Sequence, residues 1–161
     1  MAKKSFLSFY YKDDSWRVSQ IKNIGAVEEQ PILSANAWEA IKDKGDDAIK
    51  EWIETNMRGR DCLIVLVGAR TSGRRWVKHE IRRACERGMG VFGIYVHNLK
   101  DADGKQSTKG SDPFSGVTVN NVSISSYAKM YDPPFSTSTY VYEHISENIS
   151  DWIDNAIKAR K

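Results

Sequence analysis

Cys62-Leu-Ile-Val-Leu-Val-Gly68 is a run of six consecutive apolar residues closed by a glycine. Such a run is typical of a strand covered on both faces of a parallel sheet, and we predict a strand over residues 61–67. The chain continues as Ala69-Arg-Thr-Ser-Gly-Arg-Arg-Trp76-Val-Lys-His-Glu80-Ile81, a basic loop followed by helical spacing that predicts a helix over 74–87. In open α/β sheets, ligands bind at junctions of this kind, where strands end. Glu80 is therefore expected to lie beside a pocket.

The N-terminal segment predicts a strand, a helix and at most a weak second strand. Residues 5–11 are apolar and aromatic, which favours a strand, and Asp13 or Asp14 is expected to cap the next helix. The helical spacing stops at Gly25, and residues 26–27 offer only a short strand.

The rest of the chain keeps alternating between helices and strands. A helix begins at Ser34, and its interruption around Gly45 indicates either a kink or two helices. Further elements are expected in this order: a strand over 90–96, a long polar loop around 98–116, a last strand within 117–124 and a closing helix around 139–159. The alternation predicts one domain over residues 1–161, a doubly wound, flavodoxin-like α/β three-layer sandwich with a mainly parallel sheet.

Composition excludes several classes of function. The chain has 161 residues, 40% of them hydrophobic, and a net charge of +3 from 24 basic and 21 acidic residues, which predicts neither a nucleic-acid-binding nor a membrane surface. No apolar stretch approaches the ~20 residues of a membrane span, and no signal-peptide pattern is present, so a cytoplasmic protein is expected. Cys62 and Cys85 lie within apolar patterns without metal-ligand spacing, and we expect two reduced packing residues.

Ligand motifs are equally informative by their absence from the sequence. The three histidines lack metal-ligand spacing, so no metal is expected. Neither a Gly-x-Gly-x-x-Gly nor a Gly-x-x-x-x-Gly-Lys-Ser/Thr motif occurs, which argues against a bound redox dinucleotide and against P-loop chemistry.

Glu80 permits two interpretations from its spacing alone. On a helix, Glu80 shares a face with Trp76, while Val77 and Ile81 form the neighbouring stripe that packs on the sheet. A carboxylate at this border, tuned by partial burial and by the arginines of the preceding loop, would suit stabilisation of a cationic transition state. The alternative is a solvated helix residue paired with a neighbouring charge such as Lys78 or Arg83.

A family resemblance favours the first interpretation. Trp76-Val-Lys-His-Glu80 resembles the Trp-x-x-x-Glu element of Toll/interleukin-1 receptor (TIR) domains that cleave NAD, in which the glutamate is catalytic, and Phe6-Leu-Ser-Phe9 resembles the first TIR box. Most of residues 1–115 more closely resembles the TIR-like proteins of the bacterial Thoeris anti-phage system. The matching residues are Ser8-Phe9, Asp13, Trp38-Glu39, Val67-Gly68, the specific stretch Gly73–Ile81, Gly93-Ile94, Lys109-Gly110 and Pro113-Phe114.

This resemblance implies an antiviral defence enzyme, a TIR-type hydrolase or cyclase with Glu80 as its catalytic residue. On phage infection it would cleave the nicotinamide–ribose bond of NAD and convert the remainder into a cyclic ADP-ribose-type signal. NAD would be a substrate, with no cofactor bound. The implied partners are an effector that senses the signal, a phage-derived trigger and further copies of the chain, as a homo-oligomer formed on activation.

The resemblance also implies substrate contacts. Trp76 would either stack on nicotinamide or cover the core, and Ser8 would hydrogen-bond a ribose or the backbone of the next loop. Tyr10 and Tyr11 occupy positions where some NAD-cleaving TIR domains carry arginine. Tyrosines cannot bind a diphosphate as a guanidinium does, so Arg70 and Arg75, with their neighbour Arg74, would replace these arginines. The alternative is that the three arginines form a solvated basic turn.

Two other functions use the same architecture. The main alternative is a non-catalytic TIR-like interaction or adaptor module, which has no chemical need for a carboxylate at position 80. A phosphorylation receiver is disfavoured because Gly68, rather than an aspartate, ends the central strand.

Overall fold

A computed structural model of the chain describes residues 3–27 and 41–161. The strands within these residues are β1 (Ser5–Ser8), β2 (Cys62–Val67), β3 (Gly90–Tyr95), β4 (Thr118–Val119), β5 (Val122–Ser123) and β6 (Lys129–Tyr131). The helices are α1 (Tyr11–Asn23), α2 (Asp46–Met57), α3 (Arg75–Glu86) and α4 (Ser138–Lys158).

The main sheet has the strand order β1-β2-β3-β6, and all of its pairs are parallel. An isolated parallel bridge joins Lys3 to Val27 on the edge of β1 that faces away from β2, so the weak second strand is confirmed as a single bridge. With Val27 counted as a rudimentary strand, the order becomes the flavodoxin-like 2-1-3-4-5. The topological switch point, where such sheets bind ligands, therefore lies between β1 and β2.

The core has two parts, one on each face of the sheet, which confirms the three-layer sandwich. Side chains alternate along β1, so Phe6 packs with α2 and α3 whereas Leu7 packs with α1 and α4. All six residues of β2 have 0% exposure, as expected for a strand covered on both faces. Cys62 and Cys85 are buried and unbridged, as predicted.

The start of the chain differs from the prediction. β1 ends at Ser8 rather than at residue 11, and α1 already begins at Tyr11, with Tyr10 as its N-cap residue. Asp13 and Asp14 therefore lie in the first helical turn and do not cap the helix. Aromatic residues favour strands locally, but acidic side chains in the first turn stabilise a helix through its dipole. The predicted end at Gly25 is confirmed, since this residue has a φ of 80°.

Gly45 separates two helices. Residues 41–43 are helical, Gly45 interrupts the helix with a φ of 94°, and α2 begins at Asp46. A positive φ ends regular helix geometry, so the interruption marks a boundary rather than a kink. The predicted helix start at Ser34, like Trp38, lies outside the described residues.

The predicted last strand was misplaced. Residues 118–119 and 122–123 pair as a small antiparallel hairpin outside the main sheet. Asn120 and Asn121 adopt positive φ angles between them, as tight hairpin turns require. The fourth main strand is β6, a segment of three residues that was not predicted, shortly before Pro133-Pro134.

Two other C-terminal predictions have clear outcomes. The loop 98–116 contains no helix or strand. Leu99 and Phe114 are both 0% exposed, so the loop packs against the core through these two side chains. The closing helix is confirmed as α4, which has 21 residues. Among the described helices, none has the length and hydropathy required to cross a membrane.

Candidate active site

Glu80 and Ser8 form a buried polar pair. The apolar stripe of α3 packs on the sheet and carries Glu80 inward, so that this residue is only 8% exposed. Ser8 ends β1 with its side chain on the face that α3 covers, and its hydroxyl donates a hydrogen bond of 2.5 Å to Glu80 Oε1. The carboxyl group thus lies at the carboxyl end of β1, beside the switch point. A solvated Glu80 paired with Arg83 is excluded, because Arg83 binds Glu54 and Glu86 instead.

Burial dominates the ionisation of Glu80. Desolvation raises its pKa to about 8, and the hydrogen bond from Ser8, which favours the charged form, offsets only part of this effect. At neutral pH the unliganded protein therefore holds Glu80 largely protonated. A cation placed beside Glu80 would lower its pKa and release the proton.

The expectation that loop arginines tune Glu80 is wrong, because these arginines bind other groups. Arg70 forms an ion pair with Asp13, with Nε 2.8 Å from Oδ2, and Arg75 lies 2.7 Å from Asp46. The Arg70 hydrogen bond lowers the pKa of Asp13. Arg70 and Arg75 are more than half exposed, as expected for a solvated basic turn.

Tyr10 connects the two loops at the switch point, which follow β1 and β2. It links β1 to α1, and the Arg74 guanidinium lies 4.2 Å from the centre of its ring, with that of Arg70 at 5.5 Å. Tyr10 is therefore brought to the basic loop. Tyr11 belongs to α1, and its ring lies 6.3 Å from that of Phe9.

Trp76 covers the core, which is one of its two predicted roles. Its half-buried ring packs against the core between the sheet, α2 and α3. The Arg75 guanidinium lies 4.6 Å from the ring centre, and the His79 ring approaches at 5.6 Å with its edge. Stacking on a ligand stays a prediction.

Asp14 and Arg17 are site-supporting residues that the sequence did not reveal. Asp14 is 1% exposed and its Oδ1 accepts a 2.8 Å hydrogen bond from Arg17, which also donates to the carbonyls of Leu99 and Lys105. Burial raises the pKa of Asp14 despite this partner. The i,i+3 spacing of the pair is the only sequence signal, and it equally suits an exposed helix pair. Its function is to tie α1 to the loop 98–116.

Two glycines allow close contacts at the tip of β2, one with α1 and one with the loop 98–116. A Cβ atom on Gly68 would collide with the Asp14 carboxylate, and one on Gly110 would collide with the carbonyl oxygen of Gly68. The backbone of the loop 98–116 therefore sits directly on the strand end beside the switch point. In the part of the chain that the structure describes, no group of three metal-binding side chains is assembled.

Comparison with known proteins assigns the chain to a family. The family model described as "Thoeris protein ThsB, TIR-like domain" matches residues 6–101, which include Ser8, Gly68 and Glu80. The chain belongs to the ThsB TIR-like family. The resemblance expected from Trp76-Val-Lys-His-Glu80 is thereby confirmed.

One relative of this TIR-like chain is a Bacillus cereus (strain MSX-D12) protein named "Putative cyclic ADP-D-ribose synthase ThsB1". The two are 34% identical over 119 residues, a match that covers 71% of this chain and 62% of the relative. The chain thus spans less than two thirds of that protein's length.

Proposed function

We propose that this TIR-like chain cleaves NAD at the nicotinamide–ribose bond and forms a cyclic ADP-ribose-type signal nucleotide. The observation that carries the proposal is the buried Ser8–Glu80 pair at the switch point of the sheet. The name of the Bacillus cereus relative supports the same reaction class.

The ionisation of Glu80 suits this chemistry. The pKa near 8 reflects a carboxyl group without a cation to stabilise its charged form. NAD carries a positive pyridinium ring, and its scission passes through an oxocarbenium-like ribose. Either cation would favour the ionised carboxylate, which then stabilises the developing positive charge in a site of low dielectric.

The balanced reaction needs no other reagent. The C1–N bond of the nicotinamide ribose breaks, and nicotinamide leaves as a neutral molecule with the bonding electron pair. A nucleophilic atom of the same ADP-ribose unit bonds to C1 and loses a proton, which gives a cyclic product; attack by water would give ADP-ribose instead. The hydrogen bond from Ser8 holds the Glu80 carboxyl group in place throughout.

The adaptor alternative leaves the Ser8–Glu80 pair unexplained. Burying an ionisable carboxyl group costs free energy, and a purely structural position would be filled at lower cost by an apolar residue. Perturbed pKa values of this kind are concentrated in functional sites.

The proposed partners follow from membership of the Thoeris family. We infer a phage-derived trigger, an effector that binds the nucleotide and assembly into a homo-oligomer on activation. A dilute monomer without a trigger is then expected to be nearly inactive on NAD. Strong steady turnover by a sample shown to be monomeric would contradict the requirement for assembly.

The test is mass spectrometry of small molecules from phage-infected cells that lack the effector. Cells carrying the wild type or Glu86→Gln, a control on the exposed side of α3, should lose NAD and accumulate a nucleotide with the mass of ADP-ribose less water. Glu80→Gln should abolish both changes, because an amide cannot supply the negative charge. Product formation by Glu80→Gln would overturn the proposal.

A further inference from the structure

A second polar cluster lies at the same edge of the sheet as Glu80. It comprises Tyr95 and His97, at and just after the end of β3, Asp132, directly after β6, and Lys109, from the loop 98–116. The Lys109 ammonium lies 2.8 Å from Asp132 and 4.5 Å from the centre of the Tyr95 ring. Residues from β3, from the segment after β6 and from the loop 98–116 thus lie close together.

The cluster faces the same side of the sheet as the Ser8–Glu80 pair. Tyr95 belongs to the core between the sheet, α2 and α3, and the His97 ring lies 6.2 Å from the Tyr95 ring. Because β3 pairs with β6 through Ile94 and Tyr131, the next residues, Tyr95 and Asp132, are neighbours at the strand ends. Ser8 therefore shares a face and an edge with them.

The strand register gives the separation of the two clusters. Ser8 pairs with Val65, which pairs with Gly93, two residues before Tyr95. Two strand spacings across the sheet and two residues along it place Tyr95 about 12 Å from Ser8. Asp132 lies one strand further, about 16 Å from Ser8. These backbone separations leave room between the two clusters for two riboses linked by a diphosphate.

His97 carries an unsatisfied polar atom. It is 8% exposed, and its buried Nδ1 finds no hydrogen-bond partner among the described residues. Burial lowers the pKa of His97, so the ring is neutral at pH 7 and offers one donor or acceptor without charge. Leaving such an atom unpaired costs free energy, which a ligand that hydrogen-bonds to it would recover.

The backbone around the cluster is fixed before any ligand arrives. The Ser107 amide donates a 2.8 Å hydrogen bond to the His97 carbonyl, and Arg17 holds the carbonyls of Leu99 and Lys105. Gly110, next to Lys109, sits on Gly68. These contacts hold the loop so that Lys109 stays at the strand ends.

The chemistry of the cluster selects a neutral, hydroxyl-rich group. Lys109 and Asp132 cancel in charge, so the pair does not favour a phosphate over a sugar. A carboxylate accepts hydrogen bonds from the vicinal hydroxyls of a ribose, as acidic residues do at the ends of strands in dinucleotide-binding sheets.

We propose that Asp132 and His97 bind the ribose of the second nucleoside, the adenosine half of a dinucleotide whose first ribose lies at Glu80. This proposal rests on the proposed function only for the identity of the dinucleotide. It assigns to the strand ends of β3 and β6 the recognition of the half of the substrate that does not lose nicotinamide.

The test is calorimetric titration with two fragments that separate the halves of the dinucleotide. ADP-ribose contains the adenosine half, whereas nicotinamide mononucleotide lacks it. Asp132→Asn should weaken ADP-ribose binding about tenfold or more, since hydrogen bonds to a charged group are among the stronger ones, and should leave nicotinamide mononucleotide within about twofold. Asp103→Asn, which changes an exposed carboxylate of the loop 98–116, is the matched control and should alter neither affinity.

His97 supplies an independent arm of the same test. His97→Leu should also weaken ADP-ribose binding about tenfold, and His97→Asn, whose amide reaches the position of Nδ1, should restore most of it. Equal weakening of both ligands, unchanged ADP-ribose binding in Asp132→Asn, or no ADP-ribose binding by the wild type would each overturn the proposal. Absence of NAD loss and of the cyclic product in phage-infected cells that carry the wild type, alongside Asp132-dependent ADP-ribose binding, would reject the proposed function alone.

Discussion

Ser8 and Glu80 are 72 residues apart in the chain, yet the Ser8 hydroxyl and the Glu80 carboxyl group share a hydrogen bond of 2.5 Å in the protein interior. β1 supplies the donor and α3 the acceptor, and both lie at the switch point of the sheet. The Ser8 hydroxyl is the one side-chain hydrogen-bond partner of Glu80 among the described residues. The stability and the chemistry of the site therefore depend on the protonation of a single carboxyl group.

Glu80→Gln is expected to stabilise the protein increasingly as pH rises. The folded state keeps the Glu80 proton up to a pKa of about 8, whereas the unfolded chain loses it near 4.5, so folding takes up a proton between these values. The contribution of Glu80 to stability is therefore greatest below about pH 4.5 and is lost up to about pH 8, at about 1.4 kcal/mol per pKa unit. The amide that replaces the carboxyl group in Glu80→Gln cannot ionise, and its carbonyl oxygen still accepts the hydrogen bond from Ser8.

The measurement is urea denaturation of both proteins from about pH 5 to about pH 9. The free energies of unfolding should nearly coincide at the acidic end and differ by a few kcal/mol in favour of Glu80→Gln at the alkaline end. Glu86→Gln should show no such trend. A wild type that gains stability relative to Glu80→Gln with rising pH would contradict the buried, unpaired carboxyl group.

Ser8→Ala is expected to raise the pKa of Glu80 further. The Ser8 hydrogen bond is the contribution that lowers this pKa, so its loss leaves desolvation unopposed. If NAD cleavage requires the ionised carboxylate, the acidic limb of the kcat/KM profile should move to higher pH. Ser5→Ala, at the other end of β1, is the control and should leave the limb in place. An unshifted limb in Ser8→Ala would show that the hydrogen bond does not tune the reacting group.

The sequence pattern predicted helices and strands most reliably where the local spacing of apolar residues matches their burial in the tertiary structure. The six apolar residues of β2 and the stripe of α3 predicted both elements to within about a residue, and with them the inward face of Glu80. The resemblance of Trp76-Val-Lys-His-Glu80 to TIR domains predicted the family, which the family model confirms, whereas the catalytic role of Glu80 stays a prediction.

The pattern failed where long-range contacts decide. β6 has three residues and is a strand only because β3 pairs with it, so no periodicity marks it. The buried pair of Asp14 and Arg17 has the spacing of an exposed helix pair, and only tertiary structure shows its burial. The loop arginines were expected near Glu80 because they are close in sequence, but Asp13 and Asp46 compete for them.

Gly110→Ala is expected to lift the loop 98–116 off β2. The added Cβ would collide with the carbonyl oxygen of Gly68, and this backbone atom, directly after β2, cannot move aside as the end of a flexible side chain can. A loss of about 1–3 kcal/mol in the free energy of unfolding is expected, as for other overpacked sites. Gly73→Ala, where a Cβ meets nothing within 4 Å and φ is not positive, is the matched control. Equal stability of the two variants would mean that the loop does not press on the strand end.

Arg17→Ala is expected to destabilise the protein by about 3–5 kcal/mol, because it leaves a buried Asp14 carboxylate and two loop carbonyls without their donor. The double variant with Asp14→Ala should cost less than the sum of the single variants, since Asp14 then no longer needs a partner. The exposed pair of Lys3 and Asp154 also joins distant segments, and the same cycle there should give about 0–1 kcal/mol. Denaturant unfolding of both cycles measures the two coupling energies. A coupling as small between Asp14 and Arg17 as between Lys3 and Asp154 would mean that burial does not strengthen the Asp14–Arg17 pair.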